Sequence, residues 1–308
     1  MVADRTKTLA SARGGWLLAL PVLLLWSCQI RSLQEAREAY RAGSYAQAER
    51  SYLSLLEDVP GSPLIRVELA QVYFEADSLD RAFQTLTRIG AVRDPLLIDA
   101  VAASFGRLGH RYFATGKFNA ASRCFARSIA LWPQNPDLFD ALGRSEYRRG
   151  RPRQAISPLL SSITLAPEND GAYFYLGLID DTAPFLDETI AEQRALHDEH
   201  PANGDLAYRL GVLYEVRWRW RGDDDDRLDA LRAYEVTTAL RPDFPNPWLH
   251  RYVLEGAAGE SGWLRPLFER YRELRIQHGL VAPDPSVADL LLLPARARQP
   301  IVPPDDQS

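Results

Sequence analysis

The chain has 308 residues, of which 46% are hydrophobic and 25% charged, ordinary globular proportions with length enough for a sizeable core. Its formal net charge of −5 leaves no general basic surface, so nucleic acid is excluded as an expected partner. The two cysteines, Cys28 and Cys124, are placed too far apart in pattern for a disulfide framework or a metal site.

The first elements are a targeting pattern. Arg5, Lys7 and Arg13 give a positive start, and Trp16 to Trp26 is an unbroken apolar run apart from its proline. Spanning a bilayer takes roughly 20 apolar residues, so this run is too short to cross and instead fits the apolar region of a secretory signal. Ser27 and Cys28 follow at once. Leu25-Trp26-Ser27-Cys28 resembles the lipobox of bacterial lipoproteins, with Trp26 standing where that family usually has a smaller residue. The resemblance implies cleavage before Cys28 and lipidation, by diacylglycerol and palmitate-type acyl chains, of that cysteine. An uncleaved anchor, and an ordinary signal with an incidental cysteine, are the competing readings. Removing residues 1–27 takes away three basic side chains and one acid, leaving a more acidic chain. Gln29 after the cysteine, in place of an aspartate, favours the outer membrane facing the periplasm.

From residue 29 the pattern repeats. Residues 29–62 carry Ala36, Gly43, Tyr45, Ala48, Tyr52 and Pro60; residues 63–96 carry Leu69, Ala70, Tyr73, Leu79 and Ala82. About five extra residues then intervene before Val101. In 102–135, Phe105, Leu108, Gly109 and Tyr112 share a helical face, Gly116 marks a turn, Ala121 and Phe125 lie on a second helix, and Pro133 ends it. The same slots return 34 residues on as Phe139, Leu142, Gly143, Gly150, Ala155, Leu159 and Pro167. They return again as Tyr173, Leu176, Gly177 and Pro201, with a degenerate second helix. Leu210, Gly211 and Tyr214 start a further unit, which Ala230, Tyr234 and Pro242 close after about seven extra residues. Trp248 opens a seventh unit that the pattern does not complete. Residues 261–278 read as an amphipathic capping helix through Trp263, Leu267, Tyr271 and Leu274. Residues 280–308 are a proline-rich tail containing the apolar stretch Leu290–Leu293.

These slots resemble the tetratricopeptide repeat family: a large aromatic, a Leu-Gly pair, a tyrosine, an alanine, a phenylalanine and a proline at a period of 34. The resemblance implies an all-α fold, an α-solenoid or superhelix of six to seven helical hairpins over residues 28–279. One hairpin cannot hide its own apolar face, so neighbours stack. It also implies a concave surface, lined by the first helix of each hairpin, that binds proteins or peptides.

Three residues before each turn position stand Tyr40, Phe74, Phe113 and Tyr147, with Arg37, Arg41, His110, Arg144 and Arg148 on the same faces. Arginines beside aromatic rings suit carboxylates and extended peptides, by forked hydrogen bonds and flat apolar contact. The competing reading is ordinary packing between repeats. The lysine clamp for acidic tails known in chaperone-binding members is not matched, since Leu33, Val67, Gly106 and Asp140 fill that slot. Trp218 and Trp220, alternating with arginines in the insertion, are a second binding candidate, read against a lengthened helix whose tryptophans cover the core. Asp223 to Asp226 read as a helix start. His197 and His200 have the wrong spacing for a zinc helix and no third ligand, Cys124 reads as a small packed residue, and no cofactor or catalytic motif is present. The chain is therefore expected to be a lipid-anchored, non-enzymatic envelope scaffold, with a groove-based binder of a small molecule or glycan as the alternative.

Overall fold

In the computed structural model of the chain, residues 30–182, 184–257 and 264–283 are described. Every regular element among them is an α-helix, in accord with the expected fold class. Cys28, the residues before it, Trp263 and the Leu290–Leu293 stretch lie outside the described residues. In chain order the helices are α1 (30–41), α2 (Tyr45–Asp58), α3 (Pro63–Glu75), α4 (Leu79–Thr87), α5 (Pro95–Ala114), α6 (Phe118–Leu131) and α7 (Pro136–Arg148). They continue as α8 (Pro152–Leu165), α9 (Asp170–Thr182), α10 (Phe185–Glu199), α11 (Gly204–Arg221), α12 (Asp224–Leu240), α13 (Asn246–Ala257) and α14 (Leu264–Gln277). No helix of the described residues is long and apolar enough to cross a membrane.

Local chemistry sets these boundaries. Prolines stand at the first turn of α3, α7 and α8, where a missing amide costs nothing. Asn135, Asn203 and Asp223 accept hydrogen bonds from first-turn amides at the starts of α7, α11 and α12, so the Asp223–Asp226 run does begin a helix. Pro133, Pro167 and Pro201 each follow directly on a helix C-cap. The turns inside the hairpins need a left-handed residue: Gly43, Gly116 and Gly150 have φ near +72°, and Asp77 takes the same slot at +52°.

The chain divides into two compact units, Met1–Arg111 and Tyr112–Ser308. In the first, Ala36, Ala48, Tyr52, Leu69, Tyr73, Ala82 and Leu86 are buried between α1 to α4. The second holds one apolar cluster running from Ala155 to Leu254 and another joining Leu249 and Tyr252 of α13 to Leu264, Phe268 and Tyr271 of α14. The helix expected as a cap is thus the second helix of a seventh hairpin. The two breaks in spacing are absorbed by longer helices: α5 starts at Pro95 and runs 20 residues, and α11 and α12 reach 18 and 17.

Unit 2 departs from a simple stack, in which each repeat touches only its neighbours. The Asn246 side chain at the start of α13 donates to the Thr164 carbonyl at the end of α8, 2.7 Å away and three hairpins earlier. Leu254 of α13 shares a core with α8, α9 and α11. The first helix of the last hairpin thus reaches back to α8 and, through His250 and Tyr173, to α9.

Candidate functional site

In unit 1, Arg37 forms a forked ion pair with Glu68, its Nε donating at 3.0 and 3.1 Å, and Tyr52 donates to the same carboxylate at 2.9 Å. Arg37 is therefore engaged between repeats, not presented to a ligand. Tyr40 is half-buried against Tyr45, with ring centroids 6.0 Å apart, and Arg41 is exposed. Phe74 is half-buried beneath two guanidinium groups, those of Arg107 and Arg111, at 5.3 and 5.2 Å from its centroid. His110 is exposed on the same helix, α5.

In unit 2 the arrangement recurs. Arg144 lies over Phe113 at 5.1 Å and Arg148 over Phe118 at 5.0 Å. Phe113 meets Phe118 edge-on at 5.2 Å and Tyr147 meets Tyr175 at 5.5 Å. With 8% of its surface exposed, Phe113 belongs to the hairpin core as much as to any binding face. Arg148 is exposed, while Tyr147 and Arg144 are half-buried. Beside them Asp140 is pushed up to about 6 by burial, against the opposing pull of Arg144 3.5 Å away.

The Arg-Trp insertion faces inward. A side chain placed on Gly177 would come within 2.1 Å of the Trp220 ring, so that indole fills the small slot of α9. Its Nε1 donates to Asp181 at 2.8 Å. In regular units the small slot receives the unit's own second helix, as Gly143 receives Leu159 and Gly211 receives Tyr234. The degenerate α10 does not supply that contact, and the lengthened α11 brings Trp220 in its place. Trp218 packs on the same core cluster. Arg217 pairs with Asp226 and Asp187, and Arg221 with Asp180.

The most concentrated polar chemistry was not foreseen. Glu215 of α11 has no exposed surface, and His250 of α13 has 2%. His250 Nδ1 lies 2.7 Å from Glu215 Oε2, Tyr234 donates to the same oxygen at 2.8 Å, and Arg219 Nε donates to Oε1 at 2.8 Å. Tyr208 reaches His250 Nε2 at 2.9 Å, and Tyr234 stacks on the imidazole at 4.7 Å. The carboxylate fixes Nδ1 as a donor, and the Tyr208 hydroxyl completes the ring's hydrogen bonding at Nε2. Arg219 also lies over the Tyr173 ring at 4.2 Å. This set has the residue types of an acid–base site, but Glu215, His250, Tyr208 and Tyr234 are buried and hydrogen-bonded to one another or to Arg219, so it ties α9, α11, α12 and α13 together. The one signal in the sequence was a charged residue inside the apolar stretch Leu210–Val216. Among the described residues no three His, Cys, Asp or Glu side chains are grouped to hold a metal. Cys124 is buried, which pushes its thiol up to about 12.

Burial opposes the Glu215 charge, yet Arg219 and His250 outweigh it and hold the carboxyl down at about 2. Its folded value lies below the unfolded ~4.3, so its contribution is complete above that pH and is lost as pH falls towards about 2. Asp140 has the opposite sign: its folded value lies above the unfolded ~3.9, so its charge destabilises at neutral pH, and the penalty shrinks as pH falls below about 6 and is gone only below ~3.9. Asp140→Asn should therefore be more stable than the parent chain at pH 7.5, and by a clearly smaller margin at pH 5, by urea titration. A gap that stays constant between those pH values would contradict the buried carboxyl.

Unit 2 also holds a cavity of about 300 Å³ between α7, α8 and α11, lined by Pro133, Phe139, Leu165, Tyr208 and Arg209 among others.

The sequence profile of the tetratricopeptide repeat matches residues 33–93 and 107–170. Among solved structures, MamA is 20% identical over 60% of this chain and 98% of that one, with a TM-score of 0.30. YrrB, described as a repeat protein with an unusual peptide-binding site, is 19% identical over 64% and 95%, at 0.33. A tetratricopeptide repeat protein from Parabacteroides merdae is 15% identical over 87% and 98%, at 0.38. No curated protein matches the chain.

Proposed function

Because this chain carries tetratricopeptide repeats, a fold that typically serves as a non-catalytic scaffold for protein–protein interaction, we propose that it binds an extended, acidic segment of a partner protein. The observation that carries this reading is the recurrence of first-helix guanidinium groups over aromatic rings, Arg107 and Arg111 over Phe74 in unit 1 and Arg144 and Arg148 over Phe113 and Phe118 in unit 2. Ring contact orients each guanidinium flat and lowers the entropy lost when its N–H edge meets a carboxylate. Arg107, Arg111 and Arg148 are exposed, and exposed pairs such as Arg111 with Asp77 at 2.7 Å are weak enough to exchange for a ligand. Because Phe113 is packed, the arginines and not the rings are the proper targets for mutation. Charge reversal at Arg148 with Arg111, both exposed, should reduce a crosslinked partner's recovery at least about tenfold, the effect of ~1.4 kcal/mol, and leave the helical circular dichroism unchanged. Undiminished recovery would remove these faces from consideration.

The same scaffold is proposed to sit in the bacterial cell envelope, held by lipid on Cys28 and assisting assembly of an envelope complex. What supports this is the order of Arg5, Lys7, Arg13, the apolar Trp16–Trp26 run, Ser27 and Cys28. More than one acyl chain gives stable anchoring where one does not.

A further inference from the structure

The cavity of unit 2 combines an apolar wall with a cation at its rim. Phe139 of α7, Leu165 of α8 and Tyr208 of α11 line it, and Ser161 and Thr164 turn their hydroxyls to carbonyls of their own helix. Arg209 stands at its rim, half-buried, and makes no hydrogen bond or ion pair among the described residues. Asp205, one turn before it on the same helix, is already paired with Arg241. The site is thus built for an aliphatic group that carries a carboxylate at one end.

The chain holds such a group close at hand. Arg272 Nε donates to the Pro283 carbonyl at 3.1 Å, and Arg275 Nε to that of Val281 at 2.7 Å, pinning the last described residues along α14. The same Arg275 guanidinium lies 4.0 Å from Glu168, three residues beyond Leu165 of the cavity wall. Residues 289–293 read Asp-Leu-Leu-Leu-Leu, an acid followed at once by aliphatic side chains. An extended backbone at about 3.4 Å per residue carries Asp289 roughly 20 Å from Pro283. We propose that the segment Asp289–Leu293 docks in this cavity, its leucines against Phe139, Leu165 and Tyr208 and its Asp289 carboxylate on Arg209. A tether this short gives an effective concentration in the millimolar range, so the chain's own segment outcompetes a free peptide of equal affinity. The cavity is then occupied at rest, and a partner must displace the segment to enter.

The test uses the full chain with the photoreactive residue benzoylphenylalanine at position 139, irradiated and mapped by peptide mass spectrometry. Crosslinks should fall within residues 284–308 of the same molecule. Arg209→Glu should lower their yield about fivefold, the worth of one exposed-to-partly-buried ion pair, and Asp289→Arg added to it should restore the yield. If the probe at position 139 disturbs folding, the half-buried Ser161 is the second site for it. Crosslinks confined to other parts of the chain, to a copurifying protein, or to a second copy as a covalent dimer would each overturn the proposal.

Discussion

Glu215→Ala should destabilise unit 2 by about 3–5 kcal/mol, the usual cost of removing one member of a buried ion pair. The carboxylate is the common acceptor for Arg219, His250 and Tyr234; the last two are buried, and the Arg219 side chain is only 13% exposed. Arg219 would keep only Asp170 at 3.7 Å and the face of Tyr173, too little to offset a buried guanidinium. Glu215→Gln retains an acceptor but no charge and should fall between the two. Five of the seven tryptophans lie in unit 2, the others being Trp16 and Trp26, so urea unfolding followed by tryptophan fluorescence reports chiefly on this unit. A loss below ~1 kcal/mol for the alanine variant would mean that the network is not what fastens α13 to α9 and α11.

A change of sign should appear at Gly177. Gly177→Ala gains roughly 0.5–1 kcal/mol of helix propensity, but its new methyl would meet the Trp220 ring at 2.1–2.7 Å. Indole is rigid and tied to Asp181, so the overlap cannot be absorbed by a flexible tip. Overpacking of this kind costs about 1–3 kcal/mol, more than the propensity gain, and the net effect is destabilising. In a Trp220→Ala background the obstacle is gone, and Gly177→Ala should then stabilise. Unfolding midpoints of the two single variants and the double variant give the cycle. If Gly177→Ala has the same sign in both backgrounds, Trp220 is not the residue filling that slot.

The Trp220 contact shows where local pattern stops. Its register was visible: Leu176 and Gly177 stood in the Leu-Gly slot of a repeat, and the insertion was seen to lengthen a helix. What fills the slot was not visible, because the expected partner comes from the same hairpin and the actual one comes from the next. The arginines divide similarly. Arg144 lies over Phe113 of the aromatic stripe, whereas Arg148 lies over Phe118, a ring of the second helix outside it. Arg37, identical by spacing, is taken by Glu68 of the following first helix. Phe113 was legible as a ring at the right slot, but its burial depended on Phe118 across the turn.

The sequence by itself determined the helical hairpins, their turns and the position of the small-residue slots, because those depend on chain neighbours within one 34-residue period. Asparagine caps, prolines and left-handed turn glycines act over a few residues, and their effect is the same wherever the hairpin sits. Only the tertiary structure decided that α13 reaches back to α8, that Glu215 and His250 meet across 35 positions, and that a cavity remains beside Arg209. Such pairings depend on the small rotation accumulated from one hairpin to the next. That rotation is set by the packing of whole faces, and two inserted turns of helix are enough to change which faces meet.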